Sequence, residues 1–398
     1  MKLGTETRWW LYKIAVGLGG VILIVLTVWV GIAGPVTVLR IIRYGDTKID
    51  DFRHYPGRNL LPSDTPFQFL SSTSEFNFPA DLVREFGSTG ELDQILSSND
   101  TLAFLIIQDD TILYERYFHG HSSGSLSQSF SMAKSFTSVL IGMAIDDGYI
   151  KGIDQPITDF VPELANSGFS KVKIHHLLSI MSGSSYTEND NPFGEHVILR
   201  YTPQLENKIL NFKLDSEPGD AFRYKSGDNA LLALALDRSL GEETITEYTQ
   251  RRLWSPLGME DVGIWTLDHA GDGLEKTWCC LAATARDFAK VGRLYLEEGN
   301  WAGEQILSAD WIEQSTNGKV PEAAWPPKYF DIGWSNYGYS WWLANEEAGD
   351  YFALGKDGQF LYINPYHDLI ILRLGRSTGE LSSSQWVSLF QSLAKLSD

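Results

Sequence analysis

An α+β fold is predicted: a mostly antiparallel sheet flanked by helices, with a helical region inserted between its halves. Three observations predict it. β-like runs cluster early, over 101–118, and late, over 339–374. Helical patterns fill the stretch between them. No regular alternation of strand and helix, as a parallel sheet requires, runs along the chain. The 398 residues are ample for a buried core, and 43% hydrophobic with 21% charged residues is a globular composition. A formal net charge of −19 argues against a nucleic-acid partner, whose phosphates need a basic face. The two cysteines are adjacent, Cys279-Cys280. They cannot supply a disulfide framework or a Cys-rich zinc module, and read as small buried thiols.

The N-terminus reads as a separate object. No charge falls between Lys13 and Arg40, and residues 14–33 (IAVGLGGVILIVLTVWVGIA) are long enough to cross a bilayer as a helix. Trp9, Trp10 and Tyr12 stand where an interfacial aromatic belt would lie. Gly31-x-Ala33 loosely resembles a signal-peptide cleavage site, but the apolar run is long for a signal. The expectation is a flank over 1–13, a transmembrane anchor over 14–34 and a main domain outside the cytoplasm, periplasmic or at the cell surface. Basic residues flank the span on both sides, so the charge count does not orient it.

Residues 35–98 are rich in Pro, Asp and Ser with few regular periods, and read as a connector lying along the main domain of 99–398. Residues 101–108 and 111–118 are β-like and separated by Asp109-Asp110, which predicts a hairpin. In 131–147 the residues Phe136, Val139, Leu140, Met143 and Ala144 keep helical spacing, and Gly148 is a natural stop. Helices are expected at 174–182, 228–240, 243–254 and 284–298, the last with Thr284 and Asp287 placed as a capping box. The inserted helical region spans about 149–300. Strands are expected again at 339–344, 351–354, 359–363 and 369–374, and a final helix at 383–396.

Chemistry concentrates where the first loop becomes a helix. Ser131 and Lys134 are three residues apart, so they share a helix face and the amine can approach the hydroxyl. Serine is a poor nucleophile until a base takes its proton, and lysine serves as that base only when its pKa is lowered. The helix N-terminus offers N–H groups to an oxyanion. Alone the pair is a weak signal. Two further groups accompany it, Tyr224-Lys225-Ser226 ahead of an apolar helix and Gly355-Lys356-Asp357-Gly358-Gln359 between strand-like runs. A tyrosine hydroxyl can relay a proton, a second lysine can hold substrate charge, and Gly358 would let a substrate lie against the strand.

These groups resemble the three motifs of the serine β-lactamase-like hydrolases of penicillin-binding fold. That family includes class C β-lactamases, DD-peptidases, certain esterases and the 6-aminohexanoate-dimer (nylon oligomer) hydrolases. Ser131-x-x-Lys134, Tyr224-Lys225-Ser226 and Lys356-Asp357-Gly358 match in order and spacing over roughly residues 60–398. The stretch from Trp278-Cys279-Cys280 to Arg286-Asp287, and Gly355-x-x-Gly358-Gln359, resemble the 6-aminohexanoate-dimer-hydrolase-like branch. The resemblance implies a β-lactamase/transpeptidase-like fold and an acyl-enzyme on Ser131. Lys134 and Tyr224 would share base and acid work, and the N–H groups of Ser131 and Gln359 would form an oxyanion hole. Lys356, Gly358, Tyr186 and Ser226 would contact a small amide, ester or peptide-like substrate. It implies no cofactor and no metal. The second pocket tyrosine of nylon-oligomer hydrolases is absent from 185–190, and Ser226 stands where Asn is commoner. Other activities of the same fold are a DD-peptidase, a β-lactamase and a carboxylesterase; a different class is a silent cell-wall-binding protein.

Two rival signals are weaker. Gly120-His121-Ser122-Ser123-Gly124 fits the G-x-S-x-G elbow of another hydrolase fold, but it lacks the immediate strand–turn–helix and reads as a loop. His175-His176 are neighbours that face apart on a helix, and read as a helix N-terminal pair rather than metal ligands.

Overall fold

The computed structural model describes residues 5–396 apart from 74–75, 77, 80–83, 85, 87–90, 319, 331–332 and 346–348. Helices α1 (Thr5–Ala33) and α2 (Pro35–Tyr44) come first. They are followed by β1 (Gly57–Leu60), β2 (Leu70–Ser71), α3 (Leu92–Ser98), β3 (Thr101–Gln108), β4 (Thr111–Tyr117) and β5 (Ser127–Gln128). A 3-10 turn, Phe130–Met132, leads into α4 (Ala133–Asp146). The middle holds α5 (Ile174–Leu178), α6 (Glu195–Tyr201), α7 (Leu205–Ile209), α8 (Ser226–Leu240), α9 (Ile245–Thr249), β6 (Gly263–Thr266), β7 (Leu281–Ala283) and α10 (Ala285–Leu296). The chain closes with β8 (Asn300–Trp301), β9 (Glu304–Gln305), α11 (Ala309–Asn317), α12 (Pro327–Phe330), β10 (Asn336–Tyr337), β11 (Trp342–Asn345), β12 (Asp350–Gly355), β13 (Gln359–Asn364), β14 (Leu369–Gly375) and α13 (Ser383–Ala394).

The main sheet has eight strands in the order β10-β11-β12-β13-β14-β3-β4-β2. Every pair is antiparallel except β2 with β4. The two ends of the chain meet in it, β3 beside β14 with Ile106 opposite Ile371. Both faces of β3, β13 and β14 are covered, so these strands read as apolar runs rather than alternating ones. Ala103, Leu105, Ile107, Leu361 and Leu372 join the core under α10, where Gly292 lets the helix close on Ile370 and Leu361. Phe104, Ile106, Phe360 and Ile371 face the other way, onto α3 and Phe390 of α13.

Several expectations are corrected here. The inserted region is not helical throughout to about 300: between the π-turn Gln250–Trp254 and α10 it holds two strands. These, β6 and β7, join β1 and β5 in a second, four-stranded sheet of order β1-β6-β7-β5. The stretch 35–98 is more than a connector pattern suggests, since it supplies α2, α3 and the strands β1 and β2. Part of that stretch lies outside the described residues. Cys279 and Cys280 are not free thiols; their sulfurs are bonded to each other.

α2 forms because Pro35 opens it, where a missing N–H costs nothing, and because Gly34 turns the chain at φ 88°. Its Val38 and Ile41 bury against Val197, Ile198 and Tyr201 of α6, together with Trp29 and Ala33 from the end of α1. Each such aliphatic side chain contributes roughly 1.5–3 kcal/mol. Arg40 ties the helix down through the carbonyls of Tyr201 and Asp268. The rest of α1 is an apolar helix with an exposed surface, long enough to cross a membrane.

Candidate active site

The site forms where the 3-10 turn before α4, the start of α8 and the end of β12 converge. Ser131 sits on the turn, part-exposed, behind Phe130 at φ 45°. β12 closes tightly on this turn, since a Cβ on Gly355 would stand 2.2 Å from the Ser129 carbonyl oxygen. One turn along, Lys134 is buried with its amine 2.9 Å from Ser131 Oγ, 3.1 Å from Ser226 Oγ and 3.1 Å from the Trp278 carbonyl. Burial pushes the Lys134 amine down to about 8; Glu188 opposes that shift and Arg200 adds to it.

Tyr224, just ahead of α8, brings its side chain to Ser131. Its ring stacks on Trp342 and carries the Lys134 ammonium 5.1 Å from its centre. Burial raises the Tyr224 hydroxyl above its ordinary value despite the Ser131 side chain, so it is a neutral phenol near pH 7.

The next layer was not legible from the motifs. Glu188 accepts from the Ser226 N–H and the Ser226 hydroxyl, both at 2.6 Å, and so also caps the N-terminus of α8. Burial works against its charge, but His196, Lys134 and Ser226 outweigh it and bring the carboxyl down to about 2. Arg200 donates to His196 Nε2, which places the ring proton on Nδ1, assigned from this network; that nitrogen lies 3.3 Å from Glu188 and 3.0 Å from the Tyr186 hydroxyl. Lys225, the middle residue of its motif, turns away. It donates to the Ser184 carbonyl and lies 3.9 Å from Asp228, which in turn holds Ser182, so the loop carrying Glu188 is fixed to α8.

Of the residues singled out in the sequence, Ser131, Lys134, Tyr224 and Ser226 come together. Gln359 begins β13 opposite Gly355, and its side chain is engaged with Lys356 O and both backbone groups of Gly375. Tyr186 is buried over Gly227 and turned to His196 rather than open to a substrate. Lys356 pairs with Asp46 at 2.5 Å and bonds Thr47. Gly358 makes room for a guanidinium, not a substrate. At φ 75° its missing Cβ would stand 2.1 Å from Arg373 Nη1. Arg373 is buried on Trp386 and donates to the carbonyls of Gly358, Asn99 and Ser377. Gly358→Ala is therefore expected to cost about 2–3 kcal/mol, from left-handed strain plus a displaced buried cation. Thermal unfolding would read this as a drop of several degrees, and an unshifted midpoint would refute the account.

The rival signals lie elsewhere. Ser122 is exposed on a loop and meets the Ser125 hydroxyl. His176 Nδ1 accepts the Lys173 N–H at the start of α5, as a helix N-terminal residue does. Among the described residues no group of three or more His, Cys, Asp or Glu is placed to hold a metal ion.

Comparison with known proteins agrees with this geometry. The Beta-lactamase family model matches residues 93–385. The 6-aminohexanoate-dimer hydrolase of Paenarthrobacter ureafaciens is 27% identical over 304 residues, covering 71% of this chain and 74% of that protein. Among solved structures, one assigned as a 6-aminohexanoate-dimer hydrolase from Bacillus anthracis superposes with a TM-score of 0.73 at 24% identity, covering 85% of this chain and 90% of its own. A family VIII carboxylesterase does so with a TM-score of 0.61 at 16% identity, covering 81% and 99%. These two likenesses show the fold.

Proposed function

The chain belongs to the beta-lactamase family, and we propose that it is a membrane-anchored hydrolase that cleaves an amide or ester through an acyl-enzyme on Ser131. It is a serine hydrolase of β-lactamase fold, similar to 6-aminohexanoate-dimer hydrolase.

One observation carries the mechanism. Three oxygens surround the Lys134 amine, and only one of them can give it a proton. The Ser226 hydroxyl hydrogen is committed to Glu188, and the Trp278 carbonyl has none to give. A neutral Lys134 therefore spends its two N–H bonds on those acceptors and turns its lone pair to the Ser131 hydroxyl. Lys134 takes that proton as Ser131 Oγ attacks the acyl carbon. The oxyanion is stabilised by the N–H groups of Ser131 and Gln359. Tyr224, protonated at neutral pH, passes a proton to the leaving amine or alkoxide and recovers one from the lysine side. Water then attacks the ester on Ser131, with Tyr224 and Lys134 acting in reverse, and releases the acid.

Anchoring is supported by α1, whose last turns are held by α6 of the catalytic domain rather than standing free. A single N-terminal span ahead of a large domain favours a catalytic domain outside the cytoplasm.

The test uses the full chain in detergent with a linear aminohexanoate amide, a short p-nitrophenyl ester and a chromogenic cephalosporin. Intact mass is read during turnover. The expected result is turnover of the amide or the ester, with a transient adduct on Ser131. Folded protein that shows neither turnover nor adduct with any of the three would overturn the reading.

A further inference from the structure

The segment that joins the anchor to the catalytic domain is fastened beside the site. After α2 the chain crosses as a strap over residues 45–49. The Gly45 carbonyl accepts from the Tyr201 hydroxyl, and the Ile49 carbonyl from the Gln128 N–H, three residues before Ser131. Thr47 is buried and accepts from both Arg200 and Lys356. Asp46 sets its carboxylate on Lys356, with its own Thr47 N–H holding the same oxygen. Arg200 is the cation whose charge also reaches Lys134. Lys356 grows from the turn that follows Gly355, the residue packed against Ser129. The strap is thus fixed at four points to elements that carry or adjoin the catalytic residues.

At this edge the charges are Lys356 and Arg200 against Asp46, with Asp357 beside them. Asp46 remains largely open to solvent, so its carboxylate faces whatever enters along the strap. A cation already paired cannot pair again at full strength, and the carboxylate neutralising it repels a second one. We infer that Asp46 is a specificity-determining residue: a built-in counter-ion that occupies Lys356 and directs the site to acyl donors without a carboxylate. This rests on the serine-hydrolase reading above and narrows its substrate class to amides and esters without a carboxylate.

Arylboronic acids bond reversibly to a serine nucleophile and test the point without turnover. The full chain in detergent is titrated calorimetrically with phenylboronic acid and with its 3- and 4-carboxy analogues. The readout is the ratio of Kd values, carboxylate over neutral. Wild type is expected to favour the neutral ligand by about tenfold or more at low salt, and less as salt is added. Asp46→Asn is expected to lower the ratio about tenfold, and Asp46→Glu to retain it. Lys356→Met added to Asp46→Asn is expected to bring the ratio back up. An Asp46→Asn ratio equal to wild type for both analogues would overturn the inference and leave Asp46 a clasp. Neutral-ligand binding that survives Ser131→Ala, or no binding by folded wild type, would instead overturn the serine-hydrolase reading, and this inference with it.

Discussion

Ser131→Ala is expected to leave the full-length protein folded, unlabelled by a fluorophosphonate, and at least about 10⁴-fold lower in kcat/KM. Ser122→Ala is expected to label as fast as wild type. The difference lies in what each hydroxyl touches. Ser131 has a buried amine at 2.9 Å and the Tyr224 phenol on its other side. The Ser122 hydroxyl meets that of Ser125 at 3.1 Å, and the neighbouring His121 spends Nε2 on Ser127. Removing the Ser131 hydroxyl deletes one accepted hydrogen bond from Lys134, which keeps two others, so the thermal midpoint should move little. Intact mass after labelling decides the matter. An adduct retained in Ser131→Ala, or lost in Ser122→Ala, would move the nucleophile and sink the mechanism.

What the sequence disclosed and what it hid divide along contact distance. β3 is read at its true bounds, 101–108, because a buried strand shows itself as an unbroken apolar run with its hairpin partner next in the chain. β6 and β7 carry no such signal. They are four and three residues long, and β6 pairs with β1 some two hundred residues away, Trp265 opposite Arg58. α2 was hidden because PVTVLRIIRY is apolar on two sides: Val38 and Ile41 bury while Val36, Leu39 and Ile42 stay exposed. The Ser131, Lys134 and Tyr224 cluster was legible, since Ser131 and Lys134 are close in sequence and all three are bearers of known chemistry. Glu188 was not, because its role exists only once the loop after α5 folds back onto the start of α8, 38 residues on. The partners of Lys356 and Gly358 were hidden for a similar reason. Those partners, Asp46 and Arg373, come from remote parts of the chain. Adjacent cysteines can bridge only when the local turn holds them; here the N–H groups of both Cys279 and Cys280 point to the Lys276 carbonyl.

The pH profile of the reaction should report Lys134, and the direction of its displacement in two variants separates this account from a generic buried lysine. Lys134 is a base only when neutral. With its amine lowered to about 8, kcat/KM should rise about tenfold per pH unit below that value and level off above it. Glu188, held near 2, stays ionised throughout and adds no limb of its own. Its negative charge favours the protonated amine, so Glu188→Gln should move the inflection to lower pH. Arg200 disfavours the protonated amine, so Arg200→Met should move it to higher pH. The two variants lie in one network, and disorder in that network would shift both the same way. Glu188→Gln should also lower the plateau, because the Ser226 hydroxyl loses the acceptor that holds its hydrogen away from Lys134. Lys134→Met should lose about 10³–10⁴-fold in kcat/KM at every pH and show no limb near 8. Methionine fills the same space, and the lost hydrogen bonds are offset by relief of a buried charge, so the thermal midpoint should stay close to wild type. Opposite displacements by Glu188→Gln and Arg200→Met, with the limb abolished in Lys134→Met, would assign the base to Lys134. A limb near 8 that persists without the lysine would take the base away from Lys134.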